Sequence, residues 1–123
     1  MFREILRVKI HGAIVTATEL NYSGSITLDP KLVDAAGFIG HEKVQILNLN
    51  NGARFDTFVI RAKKNTGKIC LNGPAARLGQ PGDKIHILSY AFVENQETNK
   101  FKTKFVFLNE KNLIKKLKEV SQK

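Results

Sequence analysis

The sequence predicts a small, mainly β protein, folded as a mostly antiparallel or mixed barrel. Three observations lead there. Apolar residues recur in short alternating runs, the period of a strand with one buried face. Gly, Asn and Asp punctuate those runs at close intervals. No repeated strand–helix–strand spacing, which a parallel α/β sheet would require, runs along the chain.

Each element has its own signal. Residues 4–10 (EILRVKI) and 13–19 (AIVTATE) read as strands split by His11-Gly12, and 22–28 (YSGSITL) as a third. Asp29-Pro30 then opens a short helix, PKLVDAAG, with Pro30 in its first turn and Gly37 ending it. Residues 43–49 (KVQILNL) alternate, and Asn51-Gly52 marks a turn before the strand RFDTFVIRA. A short strand, KICL, runs into NGPAARLG, a turn with about one helical turn in it. Strands follow at 84–92 (KIHILSYAF) and 103–108 (TKFVFL). The end, NEKNLIKKLKEV, predicts an amphipathic helix with Leu113, Ile114, Leu117 and Val120 on one face and lysines on the other. That helix is expected to cap the barrel or a neighbouring subunit; a solvated tail and a binding site for an acidic partner are the alternatives.

Composition excludes several classes. The 123 residues are one domain's worth of chain. With 42% hydrophobic and 25% charged residues, disorder throughout is excluded. Apolar runs are too short for a membrane span, and charges interrupt the first twenty residues, so neither a membrane protein nor a secretory signal is expected. Cys70, the single cysteine, excludes an internal disulfide and cannot build a structural zinc site, so a cytoplasmic protein is expected. The formal charge of +9 invites a nucleic-acid reading. Lys100 to Lys123 hold eight lysines against two glutamates (+6), which leaves twelve Lys/Arg against nine Asp/Glu (+3) elsewhere. The body is therefore only mildly basic and lacks interleaved aromatics, which argues against a nucleic-acid platform. So short a chain has little core, and an oligomer would bury more surface.

Common catalytic templates are missing. No Gly-rich phosphate loop and no His/Cys cluster with metal spacing occurs, and His11, His41 and His86 are scattered. Cys70 and Ser89 stand in apolar strands and read as buried small residues. The unusual feature is Tyr22-Ser23-Gly24-Ser25. A Gly–Ser pair is ordinarily just a tight turn. In a strained turn, however, the serine hydroxyl can attack the preceding carbonyl and convert the amide to an ester. Glycine suits this because it lacks the Cβ that would bar the geometry. Elimination of the ester and hydrolysis then leave a pyruvoyl ketone at a new N-terminus.

Six motifs in register, from Leu6 to about Ala91, resemble the bacterial aspartate 1-decarboxylase family. They are KIH at 9–11, LNYSGSITLD at 20–29, DAAG at 34–37, NNGARFDTF at 50–58, NGPAARL at 72–78 and PGDKIHILSYA at 81–91. The resemblance implies a double-psi β-barrel domain over 1–95, a basic C-terminal extension over 96–123, and a homotetramer with sites between subunits. It implies pyruvoyl-dependent conversion of L-aspartate to β-alanine and CO2 for pantothenate biosynthesis, with no metal. Cleavage would fall between Gly24 and Ser25, giving a β chain of 1–24 and an α chain that starts at the pyruvoyl made from Ser25. The substrate amine would then form a Schiff base with that ketone, the electron-sink part that pyridoxal phosphate plays elsewhere.

The same resemblance implies residue roles. Lys9 and Arg54 match the pair that fixes the substrate carboxylates, as a dianionic amino acid requires. Thr57 matches an oxyanion-holding hydroxyl in self-processing and also lines the substrate site. Asn72, Gly73, Pro74 and Ala75 match a loop that meets substrate, and His11 and Tyr22 match positions near the processing site. Phe58 stands where the family commonly has the proton-donating tyrosine, so the ring is kept and the donor lost. Water, a neighbouring donor or Tyr22 would have to supply the proton. A barrel weakened as a catalyst, with a binding or regulatory role, is the alternative that Phe58 raises. Gly12 and Leu47 are further departures, where relatives often have a basic and an aromatic residue. Spontaneous cleavage and cleavage prompted by a maturation factor both accord with the sequence.

Overall fold

The computed structural model describes residues 1–122. Its strands are β1 (Phe2–Ile14), β2 (Ala17–Glu19), β3 (Ser25–Leu28), β4 (Lys43–Asn48), β5 (Arg54–Arg61), β6 (Ile69–Asn72), β7 (Lys84–Glu94), β8 (Lys102–Leu108) and β9 (Ile114–Ser121). One helix, α1 (Pro30–Ala36), follows β3, and 3-10 turns cover Gly73–Arg77 and Asn95–Glu97. The protein is mainly β and the sheet is mixed: β1–β8, β2–β6 and β3–β5 pair in parallel and the other neighbours antiparallel.

The strand order β2-β6-β3-β5-β4-β7-β1-β8-β9 forces the sheet to curl. β1 and β2 stand six intervals apart in that order, about 29 Å in a flat sheet. Only Val15 and Thr16 separate them, and three peptide units reach about 11 Å at most. The sheet must therefore roll back on itself. The Val15 amide donates to the Asp83 carbonyl beside β7 at 2.9 Å and the Thr16 amide to the Ile69 carbonyl of β6 at 2.8 Å, so this link holds its two sides together. Val8, Ile10, Ile26, Leu28, Ile46, Val59, Ile85 and Ile87 fill the inside and exclude solvent almost completely. Burial of this kind stabilises by roughly 2 kcal/mol per large side chain.

The helix forms as its signals predict. Asp29 caps it by accepting from the Lys31 amide at 2.8 Å, and Gly37 ends it in the left-handed conformation at φ 73°. At the other end of the chain the expectation is corrected. Residues 114–121 are not a helix; they form β9, antiparallel to β8. Asn112 reverses the chain at φ 61°. Its buried carboxamide donates to the carbonyls of Ile14 and Gly67 and accepts from the Ile14 amide. That anchor, and a row of unpaired backbone groups on β8, outcompete a short helix that is marginal by itself. The intended apolar face is not buried: Leu113 and Leu117 are exposed. Two further boundaries differ. His11-Gly12 does not break the first strand but bends it, with Gly12 at φ 82° and a register shift between Ile10 and Ala13. The third strand begins only at Ser25, because Asn21 to Gly24 form bends.

Candidate active site

Ser25 and Asn72 face each other across β3 and β6, and Thr27 faces Cys70 two residues on. Alternation along paired strands puts these four side chains on one face of the sheet. Asn72 Nδ2 donates to Ser25 Oγ and to Thr27 Oγ1, both at 2.8 Å, and the Cys70 thiol donates to Asn72 Oδ1 at 3.2 Å. Ser25, Cys70 and Asn72 are buried.

The backbone beside Ser25 is held tightly. Gly24 has φ 118°, which glycine alone adopts at little cost. The loop at Gly73 presses against it: a Cβ on Gly73 would overlap the Tyr22 carbonyl oxygen and stand 2.7 Å from the Gly24 nitrogen. Pro74 lies against Gly24, its Cδ 3.6 Å from where a Cβ would be. Ala75 is buried in the following 3-10 turn. A cleft of about 710 Å3 opens over this region, lined by Tyr22, Thr27, Cys70 and Asn72 and by Lys63, Lys64 and Lys68. Parallel register pairs Ile26 with Val59, one residue beyond Ser25 and Phe58, while Gly24 lies outside the ladder.

Lys9, His11 and Arg54 are elsewhere. Opposed residues share a face, so the rows Asp56–Gln45–Leu88–Lys9 and Arg54–Leu47–His86 place Lys9 and Arg54 on one face of the β5–β4–β7–β1 sheet. They stand three strands apart, about 14 Å. Arg54 Nη1 donates to Gln45 Oε1 at 3.3 Å, where the Tyr90 hydroxyl also donates at 2.8 Å. Arg54, Asp56 and Tyr90 line a second cleft of about 620 Å3. Among the described residues no hydrogen bond or ion pair joins Lys9 or Arg54 to Ser25, Asn72 or the Gly73 loop.

Sequence reasoning treated His11 and His86 as scattered, yet they stack at 4.1 Å. The amide of Gly12 donates to His86 Nδ1 at 3.1 Å, so neutral His86 carries its proton on Nε2. Burial first, then the charge of Lys9, pushes His86 down to about 4, and the same two causes lower His11. The only sequence signal for this pair was Gly12 itself, a glycine where β1 has to bend. Thr27 was also missed; its signal was the two-residue spacing from Ser25. Cys70 is buried as expected, but it has a polar partner. Phe58 is 37% exposed and meets His41 edge-on at 5.7 Å between ring centres. Among the described residues no group of three or more His, Cys, Asp or Glu could hold a metal ion, and no helix is long and apolar enough to cross a membrane.

Comparison with known proteins gives the wider context. The aspartate decarboxylase family model matches residues 1–115, past all six motifs and into β9. The aspartate 1-decarboxylase of Clostridium beijerinckii is 53% identical over 117 residues, covering 95% of this chain and 94% of its own. That of Caldicellulosiruptor bescii is 50% identical over 119 residues, covering 97% and 93%. That of Bacillus subtilis is 49% identical over 117 residues, covering 95% and 92%. With the match spanning nearly the full length of both partners, the chain belongs to the aspartate decarboxylase family.

Proposed function

We propose that the chain cleaves itself between Gly24 and Ser25, carries a pyruvoyl group made from Ser25, and decarboxylates L-aspartate to β-alanine for pantothenate biosynthesis. The observation that carries this reading is a buried serine hydroxyl held at 2.8 Å by Asn72, directly after a glycine at φ 118°. These residues fit a group built from Ser25. The hydroxyl is fixed rather than free to rotate into solvent, and Gly24 can take the geometry that attack on its carbonyl requires.

The roles of the chain's own residues follow. Ser25 Oγ attacks the Gly24 carbonyl, and Thr57, two residues before the Val59 that pairs with Ile26, supplies the hydroxyl that steadies the oxyanion. Tyr22 assists processing from beside Gly24, and His11, which stacks on His86, does so only from a neighbouring copy; Gly73, Pro74 and Ala75 shape the wall against which substrate lies. Asn72 lines the same wall. Lys9 and Arg54 hold the two carboxylates. When present, the pyruvoyl ketone supplies an electron sink for loss of the α-carboxylate as CO2. Phe58, whose ring meets His41, offers no proton, so water or Tyr22, which is half exposed in the cleft, delivers it. No metal has a part in this scheme.

The assembly we propose is a cytoplasmic homotetramer of double-psi barrels with sites between subunits. Phe2 and Phe92, both more than half exposed, favour a further copy covering them. Residues 1–95 make up the decarboxylase domain and 96–123 its extension, of which β8 adds Val106 and Leu108 to the common core. A maturation factor enters only if the pure chain stays uncut. The test is borohydride reduction in the presence of labelled aspartate. Label is expected on the 25–123 fragment and on nothing in Ser25→Ala; label absent from that fragment contradicts the proposal.

A further inference from the structure

We propose that Thr27 and Cys70 are positioning residues for self-cleavage, clamping the Asn72 carboxamide with its NH2 turned towards Ser25 Oγ. This rests on the reading of Gly24–Ser25 as the cleavage site.

A carboxamide can sit in either of two orientations, which exchange a donor for an acceptor. Here the orientation is set by the neighbours. The two N–H groups of Asn72 go to Ser25 Oγ and Thr27 Oγ1, both at 2.8 Å, and the Cys70 thiol donates to Oδ1 at 3.2 Å. Asn72 is only 3% exposed, so a partner lost from its carboxamide leaves a buried polar group short of a hydrogen bond. Burial raises the Cys70 thiol above its usual range, so it stays protonated and remains a donor. The strand register makes the arrangement rigid. Ser25 opposes Asn72, Thr27 opposes Cys70, and the two rows are neighbours on one face.

The orientation matters at one step. The first shift forms a bond from Ser25 Oγ to the Gly24 carbonyl carbon and breaks the Gly24–Ser25 amide, moving the hydroxyl proton to the Ser25 nitrogen. Elimination follows. A base takes the Ser25 Cα proton, the Cβ–Oγ bond breaks, and Oγ departs with the electron pair as part of the Gly24 carboxylate. Water then replaces the nitrogen, which leaves as ammonia. Negative charge develops on Oγ during elimination, and Asn72 Nδ2–H points at that atom. A turned amide would present Oδ1 to Oγ instead and oppose its departure.

The experiment follows cleavage of freshly purified precursor by denaturing mass measurement, with hydroxylamine treatment at each time point to release any ester. Wild type, Cys70→Ala, Cys70→Ser, Thr27→Val and Thr27→Ser are compared, with thermal melting measured for each. Loss of either donor or acceptor is expected to slow cleavage about tenfold. In Cys70→Ala and Thr27→Val the slow chain should accumulate as uncut protein from which hydroxylamine frees residues 1–24. The serine variants, which keep the hydrogen bond, should process like wild type. Thr27 is only half-buried, so Thr27→Val carries the test if Cys70→Ala does not fold. Wild-type rates in Cys70→Ala and Thr27→Val would overturn the proposal, as would serine variants as slow as the others, which indicates packing alone. A wild-type chain that never cleaves overturns the underlying reading, and the proposal with it.

Discussion

Two regions of the molecule hold the candidate residues, and they are built in opposite ways. Around Ser25 the polar groups satisfy one another: Asn72 has three partners, and glycine at 24 and 73 lets two backbone segments touch. On the β5–β4–β7–β1 face, Lys9 makes no ion pair among the described residues and Arg54 has only Gln45. The first arrangement suits a reaction whose reactants are all in the chain. The second has cationic capacity left over for something that arrives from outside. Processing and substrate binding should therefore separate under mutation.

The largest expected separation comes from the cations. Arg54→Met or Lys9→Met should leave cleavage at Gly24 intact and lower kcat/KM for aspartate by about 100-fold, the loss of one charge-assisted contact. Loss of cleavage in both variants would mean the two regions are not independent. Gly73→Ala should do the reverse. Its Cβ would overlap the Tyr22 carbonyl oxygen at a backbone φ of 63°, so about 2 kcal/mol or more of stability should be lost and cleavage should slow. Urea midpoints and the cleaved fraction measure both.

How much of this was legible in the sequence depends on how local the cause was. Asp29, Pro30 and Gly37 announced α1 because caps act on their own helix. Asn51-Gly52 announced the β4–β5 hairpin for the same reason. The C-terminal strand was misread because its partner, β8, and its anchor, Asn112 on Ile14 and Gly67, are distant contacts that periodicity cannot see. Likewise Gly24-Ser25 stood out as a local motif, whereas the clamp on Asn72 depends on strand register. The His11–His86 stack needs β1 beside β7 and so had no local signal beyond Gly12.

That stack gives the next prediction. His86 falls to about 4 in the fold, from an ordinary value near 6.5, so the unfolded chain binds the extra proton between those values. Stability should be full above pH 6.5 and decline as pH falls towards 4, by about 2 kcal/mol at pH 4.5. Glu42, held low by hydrogen bonds from Ser89, Ile39 and Arg7 despite burial, adds its own loss as pH falls through its ordinary value of 4.5, at the acid end of that window. His86→Gln should flatten the decline between pH 6.5 and 4.5 in urea titrations; an unchanged slope would show that another group causes it. The smallest effect concerns Phe58. Phe58→Tyr restores a phenol and should raise kcat about tenfold with cleavage unaffected. An unchanged kcat would mean that protonation does not limit turnover.

The central claim is that Ser25 is consumed to make the reactive group, and the intact mass of the purified protein under denaturing conditions tests it most directly. Two fragments are predicted, residues 1–24 and residues 25–123, the larger lighter by one ammonia than a chain beginning with serine. A single uncut chain, or a larger fragment that keeps its serine nitrogen, would contradict it.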